Sequence, residues 1–294
     1  GHNLLMRGPP GTGKTMLASR MAGILPPLTL EQAMELAAIK SISGKEQSFE
    51  NLYQPPFRAP HHTSSAIALT GGGSTLHTGE ISLAHHGVLF LDELPEFSMR
   101  VLEVLREPME AGHVQISRAR YQVLLPARFQ LIAAMNPCPC GYVTDPERDC
   151  RCTQDRIRQY QQKISGPLLD RIDIQLEVPR LSEDERKNIF RLQHRQESSS
   201  KDIRESVMVC RDRQIHFRGC INAQLQQSGL QEYCALSKQD SKLLNDAMTR
   251  LKLTTRAYFR ILKIARTIAD LAESEQISTP HLLEAINYRR FDMT

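Results

Sequence analysis

The chain has 294 residues, 40% hydrophobic and 24% charged, with a formal net charge of +4. That is the composition of an ordinary globular protein long enough for two domains. No apolar run approaches the roughly 20 residues that span a bilayer, which excludes a membrane-spanning helix. The small positive charge permits nucleic-acid binding without arguing for it.

The first apolar run, Leu4-Leu5-Met6, leads directly into Gly8-Pro-Pro-Gly-Thr-Gly-Lys-Thr15, which fits the phosphate-binding pattern GxxxxGK[ST]. A helix is expected from Met16 to Ile24, ending at Pro26-Pro27. A strand, a glycine turn and a helix in that order form the context this motif needs. Backbone N–H groups of Gly8, Pro9, Pro10, Gly11, Thr12, Gly13, Lys14, Thr15 and Met16 (the prolines excepted) line the expected ATP site. Lys14 is expected at the β- and γ-phosphates and the Thr15 hydroxyl on Mg²⁺. The chain is therefore expected to bind a nucleoside triphosphate.

A second helix is expected from about Leu30 to Lys40, then a loop with Pro55, Pro56, Pro60 and the pair His61-His62. Leu69 to Thr75, rich in glycine, reads as a mobile turn that is neither helix nor strand. Val88–Leu91, Gln130–Met135 and Ile174–Val178 are short, continuous apolar runs, the pattern of strands buried on both faces of a parallel sheet. Residues 114–125 alternate, as a β-hairpin does, with Ser117-Arg118-Ala119-Arg120 near its tip. Beyond about residue 180 the pattern turns helical: 181–196, 201–217, 237–251, 255–272 and 279–288. Residues 196–201 form a polar, serine-rich linker, and Thr279-Pro280 is expected to open the last helix. The expected fold is an α/β, three-layer core with a parallel sheet over residues 1–180, followed by an all-helical lid domain over 181–294.

Val88 to Leu91 ends in two carboxylates. Asp92 is expected to hold Mg²⁺ together with Thr15, and Glu93 to polarise the water attacking the γ-phosphate. The alternative is a solvated acidic turn. Asn136, after the Gln130–Met135 run, can bond the attacking water or the γ-phosphate without repelling it; it can also simply start a turn with Pro137. Arg171, in Gly166-Pro-Leu-Leu-Asp-Arg-Ile-Asp173, is expected at a domain edge, reaching a neighbour's nucleotide. The competing reading is a salt bridge to Asp170 or Asp173. Arg256 opens a helix of the second domain. It can contact the γ-phosphate across a cleft, or sit as a solvated helix start.

This series of motifs resembles an AAA+ ATPase, more narrowly the magnesium-chelatase-related branch, and within it the ComM/YifB family. The phrases that carry the likeness include Pro56-Phe-Arg-Ala-Pro-His-His62, Gly79-Glu-Ile-Ser-Leu-Ala-His85, Leu91-Asp-Glu-Leu-Pro-Glu-Phe97, Ala133-Ala-Met-Asn-Pro137 and Ala265-Arg-Thr-Ile-Ala-Asp270. The resemblance implies an ATP- and Mg²⁺-dependent hexameric ring acting on DNA in the cytoplasm. Its expected activity is helicase work that promotes branch migration during natural transformation. It also implies an N-terminal region similar to that of Lon-type proteases, expected to be missing from a chain whose phosphate loop starts so early. By the same analogy Gly72 and Gly73 belong to an insert in the second helix, about residues 60–80. The hairpin of residues 113–126 bears Arg118 and Arg120, and both elements face a central pore and touch DNA. Read from the residues alone, that hairpin is equally a solvated sheet edge. Two other motors share these ATPase parts: a chelatase-type ATPase working through a partner subunit, and a protein-remodelling ATPase.

The chain has seven cysteines, an odd number that favours thiols or a metal site over a disulfide framework. Cys138-Pro-Cys140 and Cys150-Arg-Cys152 bracket nine mostly polar residues. Two close pairs of thiolates suit a structural Zn²⁺. A disulfide or free thiols remain the alternative. Cys210, Cys220 and Cys234 are expected to pack. Neither His61-His62 nor His85-His86 has the helical spacing of a catalytic zinc motif. The first pair is expected in a polar loop near the nucleotide or pore.

Overall fold

The computed structural model describes residues 1–43, 51–73, 77–118, 121–182, 185 and 199–289. Strand β1 (Leu4–Arg7) runs through the glycine loop into α1 (Lys14–Ile24), and α2 (Leu30–Ile42) follows. Thr29 caps α2: its side chain accepts from the Gln32 N–H, and the Gln32 side chain accepts from the Thr29 N–H. Then come β2 (Phe57–Arg58), α3 (Ala66–Thr70), the short pair β3 (Gly71–Gly72) and β4 (His77–Thr78), and α4 (Glu80–Leu83). Next are β5 (Val88–Leu91), α5 (Met99–Glu103), α6 (Arg106–Ala111) and the hairpin β6 (His113–Arg118) and β7 (Tyr121–Pro126). The core closes with β8 (Gln130–Met135), α7 (Gln154–Gln161), α8 (Gly166–Leu169) and β9 (Ile174–Glu177).

The main sheet has the order β2-β5-β8-β1-β9, and every pair is parallel. Alternation along each strand feeds two cores, because successive side chains point to opposite faces. Val88 and Phe90 of β5, Ile132 and Ala134 of β8, and Leu4 and Met6 of β1 pack on one face. Leu89, Leu91, Leu131, Ala133, Met135 and Leu5 pack on the other. Burying such an aliphatic side chain contributes roughly 1.5–3 kcal/mol, so continuous apolar runs belong in the sheet's interior.

The remaining described elements are helices: α9 (Ser200–Arg218), α10 (Gln227–Tyr233), α11 (Lys238–Arg250), α12 (Thr255–Leu271) and α13 (Thr279–Asn287). They enclose a core of their own around Ile261, Ala265, Leu282 and Ala285. The α/β core with its helical companion is thus the AAA+ arrangement of sheet and lid. Among the described residues, no helix is long and apolar enough to cross a membrane.

The lid docks through buried polar contacts. Asp173 pairs with Arg260 of α12, takes the Asn3 N–H at 2.7 Å, and faces His2 at 3.8 Å. Arg289 donates to the Ile172 carbonyl, and Gln175 N–H donates to Tyr288 O at 2.9 Å.

Several boundaries differ from those read in the sequence. Leu69 and Thr70 end a short helix, because Ser65 caps it by accepting the Ala68 N–H. Gly71 and Gly72, with φ of +90° and +111°, pair with Thr78 and His77. Positive φ is the freedom that lets a glycine run join a strand pair. Ser278 rather than Thr279 caps the final helix, and Pro280 lies inside its first turn. Ser200 and Lys201, expected in the linker, already belong to α9. Of the expected helix over 181–196 only Leu181, Ser182 and Glu185 are described; the first two are not helical and Glu185 is. Cys210 and Cys234 are buried as packing residues.

Candidate nucleotide site

The phosphate loop leaves β1, which lies between the central strand β8 and the edge strand β9. Gly8 cannot be replaced without moving backbone: a Cβ there would lie 2.1 Å from the Val178 carbonyl oxygen. Gly11 and Gly13 adopt φ of +78° and +84°, which turns successive N–H groups toward one concavity. Lys14 starts α1 and is buried. Its Nζ donates to the Gly8 and Pro9 carbonyls, each at 2.8 Å, and to Asn136 Oδ1 at 3.3 Å. Burial pushes the Lys14 pKa down, and nearby Asp92 partly opposes the shift. The ammonium is thus held inside the loop by three neutral oxygens that a phosphate can replace.

Strand β5 delivers the carboxylates. Thr15 Oγ1 donates to Asp92 Oδ2 at 2.6 Å, so the two groups expected on Mg²⁺ are already adjacent. Their hard oxygens suit that cation. The other Asp92 oxygen accepts the Glu93 N–H at 2.9 Å. Glu93 sits at φ +52°, a left-handed conformation that is uncommon outside glycine and frequent at functional turns. Its Oε2 lies 3.1 Å from His62 Nδ1, and about half its side chain is exposed. The sequence expects the pair His61-His62 in a polar loop near the nucleotide or pore, and His62 lies beside Glu93. Its contact with Glu93 joins residues 31 positions apart, and nothing local in the sequence signals it. Met16 is exposed at the start of α1.

Asn136 follows β8 and touches Lys14. Arg171 is buried, and its guanidinium pairs with Glu110 at 2.9 Å and donates to the Pro167 carbonyl at 2.7 Å. Neither Asp170 nor Asp173 is its partner: Asp170 accepts from the Thr254 hydroxyl, and Asp173 is taken by Arg260. Arg256 is exposed in the first turn of α12, after the Thr254 cap. Arg118 closes β6, and Arg120 lies outside the described residues. The insert and the hairpin do meet: a Cβ on Gly71 would lie 3.2 Å from Ile116 Cδ1. Gly73 continues the positive-φ run at +104°.

The four cysteines converge. Cys138, Cys140 and Cys150 sulfurs are 3.4, 3.5 and 3.7 Å apart, and Cys152 joins them within 4.8 Å. Tetrahedral Zn–S bonds of about 2.3 Å require sulfurs about 3.8 Å apart, so the thiols already have nearly that spacing. They are not bonded to one another. Desolvation opposes ionisation of Cys140, but the Tyr142 and Arg151 N–H groups and the neighbouring thiols outweigh it, lowering its pKa to about 6. The Cys152 N–H favours the Cys150 thiolate. Desolvation and the adjacent sulfurs outweigh it and push Cys150 up to about 12. One thiolate discourages the next, which is the electrostatic problem a divalent cation removes.

Glu35, His85 and His86 also cluster. His85 Nδ1 accepts the Arg128 N–H at 2.9 Å, which fixes the proton on Nε2, facing Glu35 at 3.1 Å. An imidazole in that tautomer donates to Glu35 and has no lone pair there for a metal.

Comparison with known proteins closes the question of family. Residues 1–186 match the family described as magnesium chelatase, subunit ChlI, and residues 197–289 match its C-terminal part. The chain belongs to this magnesium-chelatase family. It is 49% identical over 288 residues to the competence protein ComM of Haemophilus influenzae, covering 98% of this chain and 55% of that protein. It is 47% identical over 297 residues to YifB of Salmonella typhimurium, covering 99% and 56%. A more distant likeness, 23% over 219 residues, links it to the DNA replication licensing factor mcm-6 of Caenorhabditis briggsae, covering 71% and 26%. The chain spans about half the length of the ComM and YifB relatives it matches. Membership in this AAA+ family implies use of ATP and Mg²⁺, which fits the Lys14 cradle and the Thr15–Asp92 oxygens.

Proposed function

We propose that this magnesium-chelatase-family protein is an ATP-driven DNA motor: a cytoplasmic, hexameric helicase that promotes branch migration during natural transformation and recombination. The observation that carries the ATPase half is the convergence of Lys14, Thr15, Asp92, Glu93 and Asn136 around one glycine loop. The DNA half is supported by the likeness to a competence protein and to a replication licensing factor.

Residues 8–16 bind ATP. Thr15 and Asp92 hold Mg²⁺, which neutralises charge building on the phosphates. Lys14 exchanges its carbonyl partners for phosphate oxygens. Glu93 turns from His62 and accepts a proton from the attacking water, and Asn136 orients that water. Arg171 leaves Glu110 and stabilises the transferring phosphoryl group of a neighbouring subunit, while Arg256 reports its loss to the lid. Arg118 and Arg120 of the hairpin, with Gly72 and Gly73 of the insert, track the DNA backbone. Cys138, Cys140, Cys150 and Cys152 hold a structural Zn²⁺. A chelatase-type or protein-remodelling ATPase that uses the same parts without DNA is the alternative, favoured by the family to which residues 1–186 belong.

The deciding experiment is steady-state ATP hydrolysis with and without branched DNA, with Glu93→Gln as the blank. Strong stimulation is expected. Hydrolysis by assembled rings that ignores DNA would transfer the assignment to the alternative.

A further inference from the structure

The cysteine loop lies against the nucleotide site at two points. Gly141, just past the first cysteine pair, has φ +85°, and a Cβ there would sit 2.6 Å from Pro10 Cδ and 3.7 Å from Asn136 Cγ. The loop backbone is thus packed against Pro10 of the phosphate loop and lies beside Asn136, the residue that touches Lys14. Its far end is tied down as well. The buried Asp145 carboxylate accepts the Glu147 N–H at 2.9 Å and the Arg180 Nε–H at 3.0 Å. Arg180 closely follows Val178, whose N–H donates to Arg7 and whose carbonyl lies against Gly8.

Little apolar contact holds the loop in this shape. Between the two cysteine pairs the only large apolar residues are Tyr142 and Val143, and Val143 is exposed. Beside the Asp145–Arg180 tie and the Arg148–Tyr142 hydrogen bond, the sulfur cluster fixes its course. Drawing four thiolates to one cation would set Gly141 against Pro10 and Asn136.

We propose that metal at the four cysteines and nucleotide at the phosphate loop are thermodynamically coupled, each tightening the other through the Gly141–Pro10–Asn136 contact and the Asp145–Arg180 tie. The proposal rests on the reading of the cysteines as a zinc site. Reciprocity follows from linkage: whatever factor zinc adds to nucleotide affinity, nucleotide adds to zinc affinity. A coupling of about tenfold lies inside the usual range for neighbouring sites.

The test uses the intact chain. Metal analysis first gives the zinc content. Affinity for a fluorescent ADP is then measured in zinc-loaded protein and in protein stripped with a chelator that spares Mg²⁺. The equilibrium partition of zinc between the protein and a chromogenic competing chelator is measured with and without a non-hydrolysable ATP analogue. Expected are one zinc per chain, nucleotide binding about tenfold weaker after stripping, and zinc held about tenfold more tightly with the analogue. Gly141→Ala should keep its zinc yet lose most of both effects. The partition arm reads zinc affinity at low chelator, where most of the protein stays loaded, so it decides even where full stripping unfolds the chain. A protein that neither carries nor takes up zinc would overturn the zinc reading, and the coupling with it. Zinc present at one per chain, with nucleotide affinity and zinc affinity each unchanged within twofold, would overturn the coupling alone.

Discussion

Replacing Asp173 by asparagine tests the buried joint between sheet and lid. The carboxylate is 5% exposed, bonds the Asn3 N–H, and faces Arg260 and His2. Desolvation works against its ionised form, but the Arg260 guanidinium, His2 and the Asn3 N–H overcome this and hold its pKa below the usual aspartate value. Asparagine keeps the shape and one acceptor but leaves Arg260 without its counter-charge. Breaking a buried pair from one side costs about 3–5 kcal/mol. Arg260 is 20% exposed and can recruit some water, so the lower bound of about 3 kcal/mol applies. At about 2 °C per kcal/mol for a chain of this size, the melting temperature should fall by about 6 °C. Differential scanning calorimetry without nucleotide measures this. A fall of under about 1 °C would show that the pair contributes nothing to docking the lid.

His62→Ala frees Glu93 from a half-exposed contact worth at most about 1 kcal/mol, so ATP turnover should rise by up to about fivefold; a fall would mean that His62 orients Glu93 for catalysis instead. His85 is pushed down to about 4 by burial, with Glu35 only partly opposing it. Its folded form therefore stays neutral while the unfolded chain takes up a proton below about pH 6.5. The stability it contributes is complete above that pH and is lost as pH falls toward 4, by about 2 kcal/mol after allowing for solvent at Glu35. Urea midpoints at pH 7.5 and 5 should differ accordingly, and His85→Asn should shrink the difference; an equal difference in the variant refutes the assignment. Arg171→Ala should abolish hydrolysis, whereas Glu110→Gln, which removes only its resident partner, should not. Mixing Arg171→Ala with Lys14→Ala subunits should restore some turnover, and no recovery would argue against an arginine acting between subunits.

Sequence alone determined the features whose physics is local. The glycine loop is legible because only glycines tolerate φ near +80° beside an anion, and Lys14 and Thr15 follow at fixed offsets. Val88–Leu91 and Gln130–Met135 are legible as strands because burial on both faces leaves no polar alternation. The paired cysteines announce a cluster by spacing, though not that all four sulfurs meet. Tertiary structure decided which distant groups touch. Short β2 carried too little periodicity to be read, yet the chain just beyond it brings His62 to Glu93. Arg171 was weighed against its sequence neighbours Asp170 and Asp173, but the fold offers Glu110 from α6 and assigns Asp173 to the lid. A charged side chain settles on the partner that best repays its desolvation, and that partner is set by strand order and helix packing rather than by proximity along the chain. The contact of Gly141 with Pro10 has the same origin: β8 lies beside β1 in the sheet, so the loop leaving one strand lands on the loop leaving the other.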